Sequence, residues 1–357
     1  MKSKSVIFVT ISMTGGGTER VIAVLANYWA SRGVKVSVLM IGGDDIAYEL
    51  APEIDIKCIS KATAGDMKAR LNRIREMRNC FKEDGDAVII AMGTVASIFS
   101  SLAITGLKNR LILSERNDPN RLNHRPIKGY EKAIRNLLYR RANNVVFQTK
   151  MAEEAFPAYI KKTGVVISNP IKGDMPVVTA YSDRKKTVIT AGRLTEQKNH
   201  KMLIDAFVMF HKEHNEYDLK IYGDGDQREI LKDYISDTGA DEYIKLMGFA
   251  ENIHEVMNES AVYVSSSDWE GISNSLMEAM AMGMAVIATD CPLGGSSLLI
   301  ESGVNGILVS PGDVTEMYKA LCTVADEKIA RLYADNAVKV RKKNSADSIA
   351  SEWEKII

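Results

Sequence analysis

Cysteine is scarce and scattered. The chain has four, Cys58, Cys80, Cys291 and Cys322, with no CxxC pair among them. A small disulfide-rich scaffold is thereby excluded, and the usage suits a reducing cytoplasm. Long apolar runs are also missing: no stretch approaches the roughly 18 residues that a spanning helix needs. The opening "MKSKSVIFVT" has a short apolar run without an A-x-A site, so neither a leader nor a spanning helix is expected. Charge of one sign is lacking as well, since Lys plus Arg and Asp plus Glu stand at 46 each. Overall charge therefore gives no reason to expect nucleic acid, and any basic patch must be local. There is no internal repeat and no low-complexity segment.

What is present is apolar sequence in short, ordered blocks. At 357 residues and 46% hydrophobic, the chain can fill two ordinary cores. Runs rich in β-branched residues read as strands at Val6 to Thr10, Val36 to Met40, Ile54 to Ile59, Ala87 to Ala91, Leu111 to Leu113 and Asn144 to Gln148. Segments of helical period such as "TERVIAVLANYWASRG" lie between most of them. The turn-rich "ISNPIKGDMPVV" follows, and strands resume at Thr187 to Thr190, Leu219 to Tyr222, Val262 to Ser265 and Ala285 to Thr289. Strand and helix in alternation predict parallel, doubly wound sheets. The expectation is an α/β chain of two Rossmann-like domains, 1–170 and 171–344, with ligands at the carboxyl ends of the strands in the cleft between them.

Four stretches carry candidate chemistry. "VTISMTGGGTERV" follows the first strand and opens a helix, so Gly15, Gly16 and Gly17 suit either a tight turn or the approach of an anion to helix N–H groups. "IYGDGDQRE" repeats the theme with Gly223 and Gly225, but Arg228 stands near the place of the third glycine of a dinucleotide fingerprint. "TAGRLTEQKNHKMLIDAF" brings Arg193 and Lys198 to a turn and helix start, where a planar fork and a point charge could grip a diphosphate. "DWEGISNSLMEAM" sets Glu270 in a loop and Glu278 inside a helix. With a turn between them the two carboxylates do not share a proton, and no His or Asp stands at ligand spacing to complete a metal site. Two separate acceptors along one extended ligand fit better, with the N–H groups of Gly271, Ile272, Ser273, Asn274 and Ser275 between them.

In this order and spacing, Arg193/Lys198, "YGDG" and the E-x7-E of Glu270 and Glu278 resemble the retaining GT-B glycosyltransferases of family four, and "GGGTER" resembles that family's acceptor-side glycine loop. The stretches "SSSDWEGISNS" and "ATDCPLGGSSLLIESGVNGILV" resemble members that build bacterial surface polysaccharides and lipid-linked glycans. The resemblance implies sugar transfer from a nucleotide-diphosphate donor, UDP by preference, with retention, no metal and no cofactor beyond that co-substrate. It implies that Arg193 and Lys198 meet the departing diphosphate, that Glu278 binds ribose, and that Glu270 with the turn after it holds the sugar. Gly16 and Gly17, with Gly223, Gly225, Gly294 and Gly295, would lie beside the donor. It also implies an acceptor-binding first domain, to which residues 345–357 return, anchored by Trp353. The stretch "RLILSERNDP" departs from the family pattern: where many members carry a His, this chain offers Glu115, Arg116, Asn117 and Asp118, with Arg116 the best substitute and His124 nearby in sequence.

The acceptor side has further candidates in Glu19 and Arg20 and in "GDMKARLNRIREMRNCFKEDGD", residues 65–86. There Met67, Leu71, Ile74, Met77 and Phe81 make an apolar stripe, flanked by basic residues including Lys68, Arg70, Arg73 and Arg78. Either this is a crossover helix with solvated flanks, or it meets an anionic membrane surface and a polyprenyl-diphosphate-linked saccharide. The expected location is cytoplasmic, on the inner face of the membrane. A soluble acceptor, a nucleotide-sugar epimerase or phosphorylase, a catalytically silent glycan-binding protein and, least of all, a dehydrogenase remain as competing readings.

Overall fold

The computed structural model describes residues 5–59, 67–122 and 125–357; His124 lies outside them. The chain divides into two units, one running to Pro170 and taking back Asn344–Ile357, the other spanning Ile171–Lys343.

The first unit holds β1 (Ser5–Thr10), β2 (Lys35–Met40), β3 (Asp55–Cys58), β4 (Val88–Met92), β5 (Leu111–Ser114), a small antiparallel hairpin β6 (Arg121–Leu122) and β7 (Arg125–Pro126), then β8 (Asn144–Phe147) and β9 (Gly164–Val166). Its main sheet is parallel, in the order β3-β2-β1-β4-β5-β8-β9. The second unit holds β10 (Lys185–Ala191), β11 (Asp218–Tyr222), β12 (Ile244–Gly248), β13 (Ser260–Ser265), β14 (Ala285–Thr289) and β15 (Ile307–Val309). It is also parallel, in the order β12-β11-β10-β13-β14-β15. In each sheet the order reverses beside the unit's first strand, and a reversal of this kind opens a crevice at the carboxyl ends of the strands.

The central strands are largely apolar because helices cover both faces of each sheet. Val6 and Phe8 enter one core cluster while Ile7 and Val9 enter another on the opposite face of the sheet. In the second unit Val188 and Ile189 divide in the same way. A strand buried on both faces cannot alternate with polar residues, so it reads as a continuous run.

The carboxy-terminal helix Ala346–Glu354 closes the first unit's core. Ser345 caps it by accepting from the Ser348 N–H, and Asn344 donates to Ser168 Oγ and to the Asn169 carbonyl. Trp353 is fully buried in the cluster that holds Trp29, which stacks on Phe8 and donates from its indole to Glu354 at 3.1 Å. Loss of so large a buried ring leaves a cavity, and Trp353→Ala should cost the first unit about 3–5 kcal/mol. Denaturant melts should show an earlier transition for that unit; an unchanged midpoint would mean that the helix is not part of its core.

The basic helix spans Met67–Glu83, and its stripe is only half used. Met77 and Phe81 are buried, but Met67 is 66% and Leu71 60% exposed. Arg73 lies over the Phe99 ring, and Arg78 donates to the carbonyls of Ala103 and Thr105 at the carboxyl end of the helix Thr94–Ala103. That end carries unsatisfied carbonyls and partial negative charge, which a guanidinium satisfies. Arg70 is exposed where Arg73 and Arg78 are not, and Lys68 and Arg75 on the same helix are exposed as well.

Candidate active site

Four loops leave the carboxyl ends of adjacent strands in the second unit and are fastened to one another in sequence. The loop after β11 meets the loop after β10 at glycines. A Cβ on Gly223, where φ is +129°, would lie 1.8 Å from the Gly192 carbonyl oxygen, and one on Gly225 would lie 2.3 Å from that of Leu194. Backbone bonds use this closeness: Leu194 N–H donates to the Asp224 carbonyl and Gln227 N–H to that of Leu194. The glycines of "YGDG" thus allow loop to approach loop.

The loop after β10 is stitched to the loop after β13 across the reversal of strand order. Asn199, in the left-handed region at φ 41°, caps the helix His200–His211 with its side-chain oxygen and gives its amide to Asp268 at 2.8 Å. Gln197 donates to the Trp269 carbonyl, Ser266 Oγ to the Lys198 carbonyl, and the Asp268 N–H to the Gln197 carbonyl. These bonds hold Lys198 against Glu270, with Nζ to Oε2 at 2.6 Å and both side chains mostly buried. Ser267 Oγ adds a 3.3 Å bond to the same oxygen. Burial opposes the charged ammonium, but the Glu270 carboxylate outweighs it and raises the Lys198 pKa. Arg193 stands exposed on the same loop, and its guanidinium makes no hydrogen bond or ion pair among the described residues.

The loop after β14 completes the row. Thr289 Oγ1 and the Cys291 thiol both donate to the Ser267 carbonyl, and burial pushes that thiol up to about 11, where it is inert. A Cβ on Gly295 would stand 1.8 Å from the Gly271 oxygen. Gly294 is left-handed and Leu293 sits at φ 91°, a strained value for a residue with a side chain.

Glu278 projects from the helix Asn274–Ala281, which Ser273 caps. It is 2% exposed, so it is no solvated helix carboxylate. His254 Nε2 lies 3.1 Å from its Oε2. Below these groups the buried Tyr263 donates to Ser275 Oγ at 2.7 Å, its pKa raised by burial. The structure thus brings Lys198 and Glu270 together and seats Glu278 on the next helix. Sequence reading missed His254 and the stitching residues Gln197, Asn199 and Asp268. His254 follows β12, a strand with no β-branched run to announce it. Among the described residues the one cluster with metal-ligand spacing, Glu213, His214 and Cys322, lies beyond the far end of the helix His200–His211.

The first-unit candidates have other surroundings. The Glu19 side chain lies over Gly16, so close that a Cβ there would stand 2.3 Å from its Oε2. The helix start at Gly17 is therefore already met by the chain's own carboxylate. Arg20 reaches over Tyr48, whose hydroxyl donates to the Gly16 carbonyl. Glu115 is buried, accepts from Thr94 and Tyr139, and has its pKa raised by burial. Arg116 is also buried, bonded to Asn169 and Ser114, and lowered by burial to about 10. Asn117 is exposed.

Two parallel Rossmann-like units, the second with a charged row of loops at its reversal, define the GT-B class of fold. The chain belongs to the glycosyltransferases of group 1 and family 4: residues 15–172 match the model described as Glycosyltransferase Family 4, and residues 185–327 the model described as Glycosyl transferases group 1. A Haemophilus influenzae glycosyltransferase is 25% identical over 347 residues, 96% of this chain and 97% of its own. The N-acetylgalactosamine-N,N'-diacetylbacillosaminyl-diphospho-undecaprenol 4-alpha-N-acetylgalactosaminyltransferase of Campylobacter jejuni is 26% identical over 343 residues, 91% of this chain and 92% of its own. Anabaena HepE, solved with UDP and glucose, shares the fold with a TM-score of 0.81 at 19% identity, over 99% of this chain and 98% of that one.

His200 gives the site unit a measurable pH dependence. It is 3% exposed at the helix start, and burial, with the charge of Lys198 beside it, lowers its pKa to about 4. The unfolded chain binds a proton near pH 6.5 that the folded one refuses until about 4, so stability falls as pH drops through that window and levels below it. The loss is on the order of 3 kcal/mol, from the shift at about 1.4 kcal/mol per unit. Chemical melts of His200→Leu should lack this part of the slope between pH 6.5 and 4; a slope equal to that of the unchanged protein would refute it.

Proposed function

We propose that the protein transfers a hexose or N-acetylhexosamine from a nucleotide-diphosphate sugar, UDP by preference, to a glycan acceptor, with retention of anomeric configuration and without a metal. The observation that carries this reading is the Lys198–Glu270 pair, held at 2.6 Å where the strand order reverses. There a cation for a diphosphate and a carboxylate for sugar hydroxyls stand side by side. Arg193, exposed on the same loop, adds a planar fork suited to phosphate oxygens. The Anabaena structure holding UDP and glucose supports the donor class.

The chemistry follows from where charge develops. As the glycosidic carbon–oxygen bond of the donor breaks, negative charge grows on the leaving diphosphate, and Lys198, held in place beforehand, meets it together with Arg193. The acceptor hydroxyl attacks from the face that the diphosphate leaves, and its proton passes to a diphosphate oxygen. Same-face attack retains configuration, and the α-linkage in the name of the Campylobacter relative agrees with it. Glu270 orients the sugar, and Glu278 accepts from the ribose.

Binding and slow hydrolysis across a panel of nucleotide sugars, in EDTA, test this without knowledge of the acceptor. Arg193→Ala should fold and lose about 100- to 1000-fold in turnover. Glu278→Ala should weaken UDP and UDP-sugar alike, whereas Glu270→Ala should weaken only the sugar-bearing donor. Equal loss of UDP affinity in both variants would sink the division of roles.

For the acceptor we favour a polyprenyl-diphosphate-linked saccharide at an anionic membrane surface, as the name of the Campylobacter relative suggests. No helix among the described residues is long and apolar enough to cross a membrane. The exposed Met67 and Leu71 beside exposed Lys68, Arg70 and Arg75 suit a surface contact, each basic group contributing about 1 kcal/mol. Charge reversal at Lys68, Arg70 and Arg75 should release the protein from phosphatidylglycerol vesicles and raise the KM for lipid-linked acceptor. Vesicle binding equal to that of the unchanged protein would favour a soluble acceptor.

A further inference from the structure

We infer that His254 is a positioning residue for Glu278 and thereby sets the preference of the donor site for ribose over deoxyribose. The inference rests on the reading of Glu278 as the ribose acceptor and adds the group that aims it. Glu278 sits in an apolar layer, where Met257, Met277, Met280 and Ala281 are buried and Ile253 and Val256 pack against them. A carboxylate there needs hydrogen bonds to remain ionised. His254, its side chain 21% exposed, supplies one at 3.1 Å from the short helix Ile253–Asn258.

The chemistry of the pair fixes its geometry. An ionised carboxylate only accepts, so Nε2 must carry the proton that lies between them. The imidazole ring is planar and stiff, and it holds Oε2 in one direction. Two vicinal hydroxyls need a carboxylate whose plane is fixed, because one misplaced oxygen loses one of the two bonds. Removing a group that orients a ligand-binding side chain costs affinity and selectivity together, as loss of an outer partner does at other sites. His254 is not itself required to touch the ligand. The aiming acts on binding, so the loss falls on KM more than on kcat.

UDP and 2′-deoxy-UDP titrated calorimetrically into the full-length protein and its variants test this. His254→Ala should weaken UDP about tenfold, with a smaller loss for 2′-deoxy-UDP, so that the preference between them shrinks. His254→Gln, whose amide can donate to the same oxygen, should restore most of both. The double variant His254→Ala/Glu278→Ala should bind UDP no more weakly than Glu278→Ala alone, because the histidine acts through the glutamate. Unchanged melting temperatures guard against a folding effect; a variant that melts early is judged on the ratio between the two ligands, which misfolding does not alter. If Glu278→Ala loses the preference while His254→Ala keeps wild-type affinity and preference, the positioning role is overturned and the ribose reading stands. If Glu278→Ala keeps both, the two fall together.

Discussion

Two backbones can lie closer than a methyl group permits only where a glycine stands, and the row of loops in the second unit depends on that. Gly223 and Gly225 press on the carbonyls of Gly192 and Leu194, and Gly295 presses on that of Gly271. A methyl at any of the three would have to displace backbone, which no flexible side chain can absorb. The approach at both ends presents the two central loops to each other, and the bonds among Gln197, Lys198, Asn199, Ser266, Asp268 and Trp269 close the gap between them. A loop usually has freedom to move. Here four of them form one framework, and the positions of Lys198 and Glu270 are properties of that framework.

A framework of this kind changes what the ion pair is for. Partly buried pairs stabilise a fold little, because desolvation consumes most of their Coulombic gain. The Lys198–Glu270 contact favours the charged ammonium in a place where burial opposes it. An ammonium has three donors, and the serine at position 267 shares Glu270, so each partner is oriented before any ligand arrives. Electrostatic stabilisation of a transition state depends on such prior orientation more than on contact strength.

The sheets were legible because of burial on two faces, and the exceptions have the same cause. β1, β2, β4, β10, β13 and β14 are largely buried, mostly apolar runs and stand within a residue or two of their expected positions. Ile244–Gly248 at one edge alternates buried with exposed residues and was not read as a strand. Gly164–Val166 and Ile307–Val309 are too short to show a period. Arg193, Lys198, Glu270 and Glu278 were legible as a spaced set of residue types. Their partners were not: His254 reaches Glu278 across 24 residues and Gln197 reaches Trp269 across 72, and no local pattern encodes either pairing. The glycines were found for one reason and matter for another, since a tight turn and a close backbone approach ask for the same residue.

The two units use a similar sheet in opposite ways. At the end of β5 the first unit turns its acidic and basic residues inward: Glu115 to Thr94 and Tyr139, Arg116 to Asn169 and Ser114. Burial shifts both toward their neutral forms, which is the direction expected of groups that hold a loop rather than a charged ligand. At the end of β10 the second unit does the reverse, raising the lysine and leaving an arginine in solvent. Charge at an α/β sheet's carboxyl edge is therefore not informative by residue type alone. What distinguishes the two edges is whether the protein has already answered the charge from within, and in the second unit Arg193 stands with no such answer among the described residues.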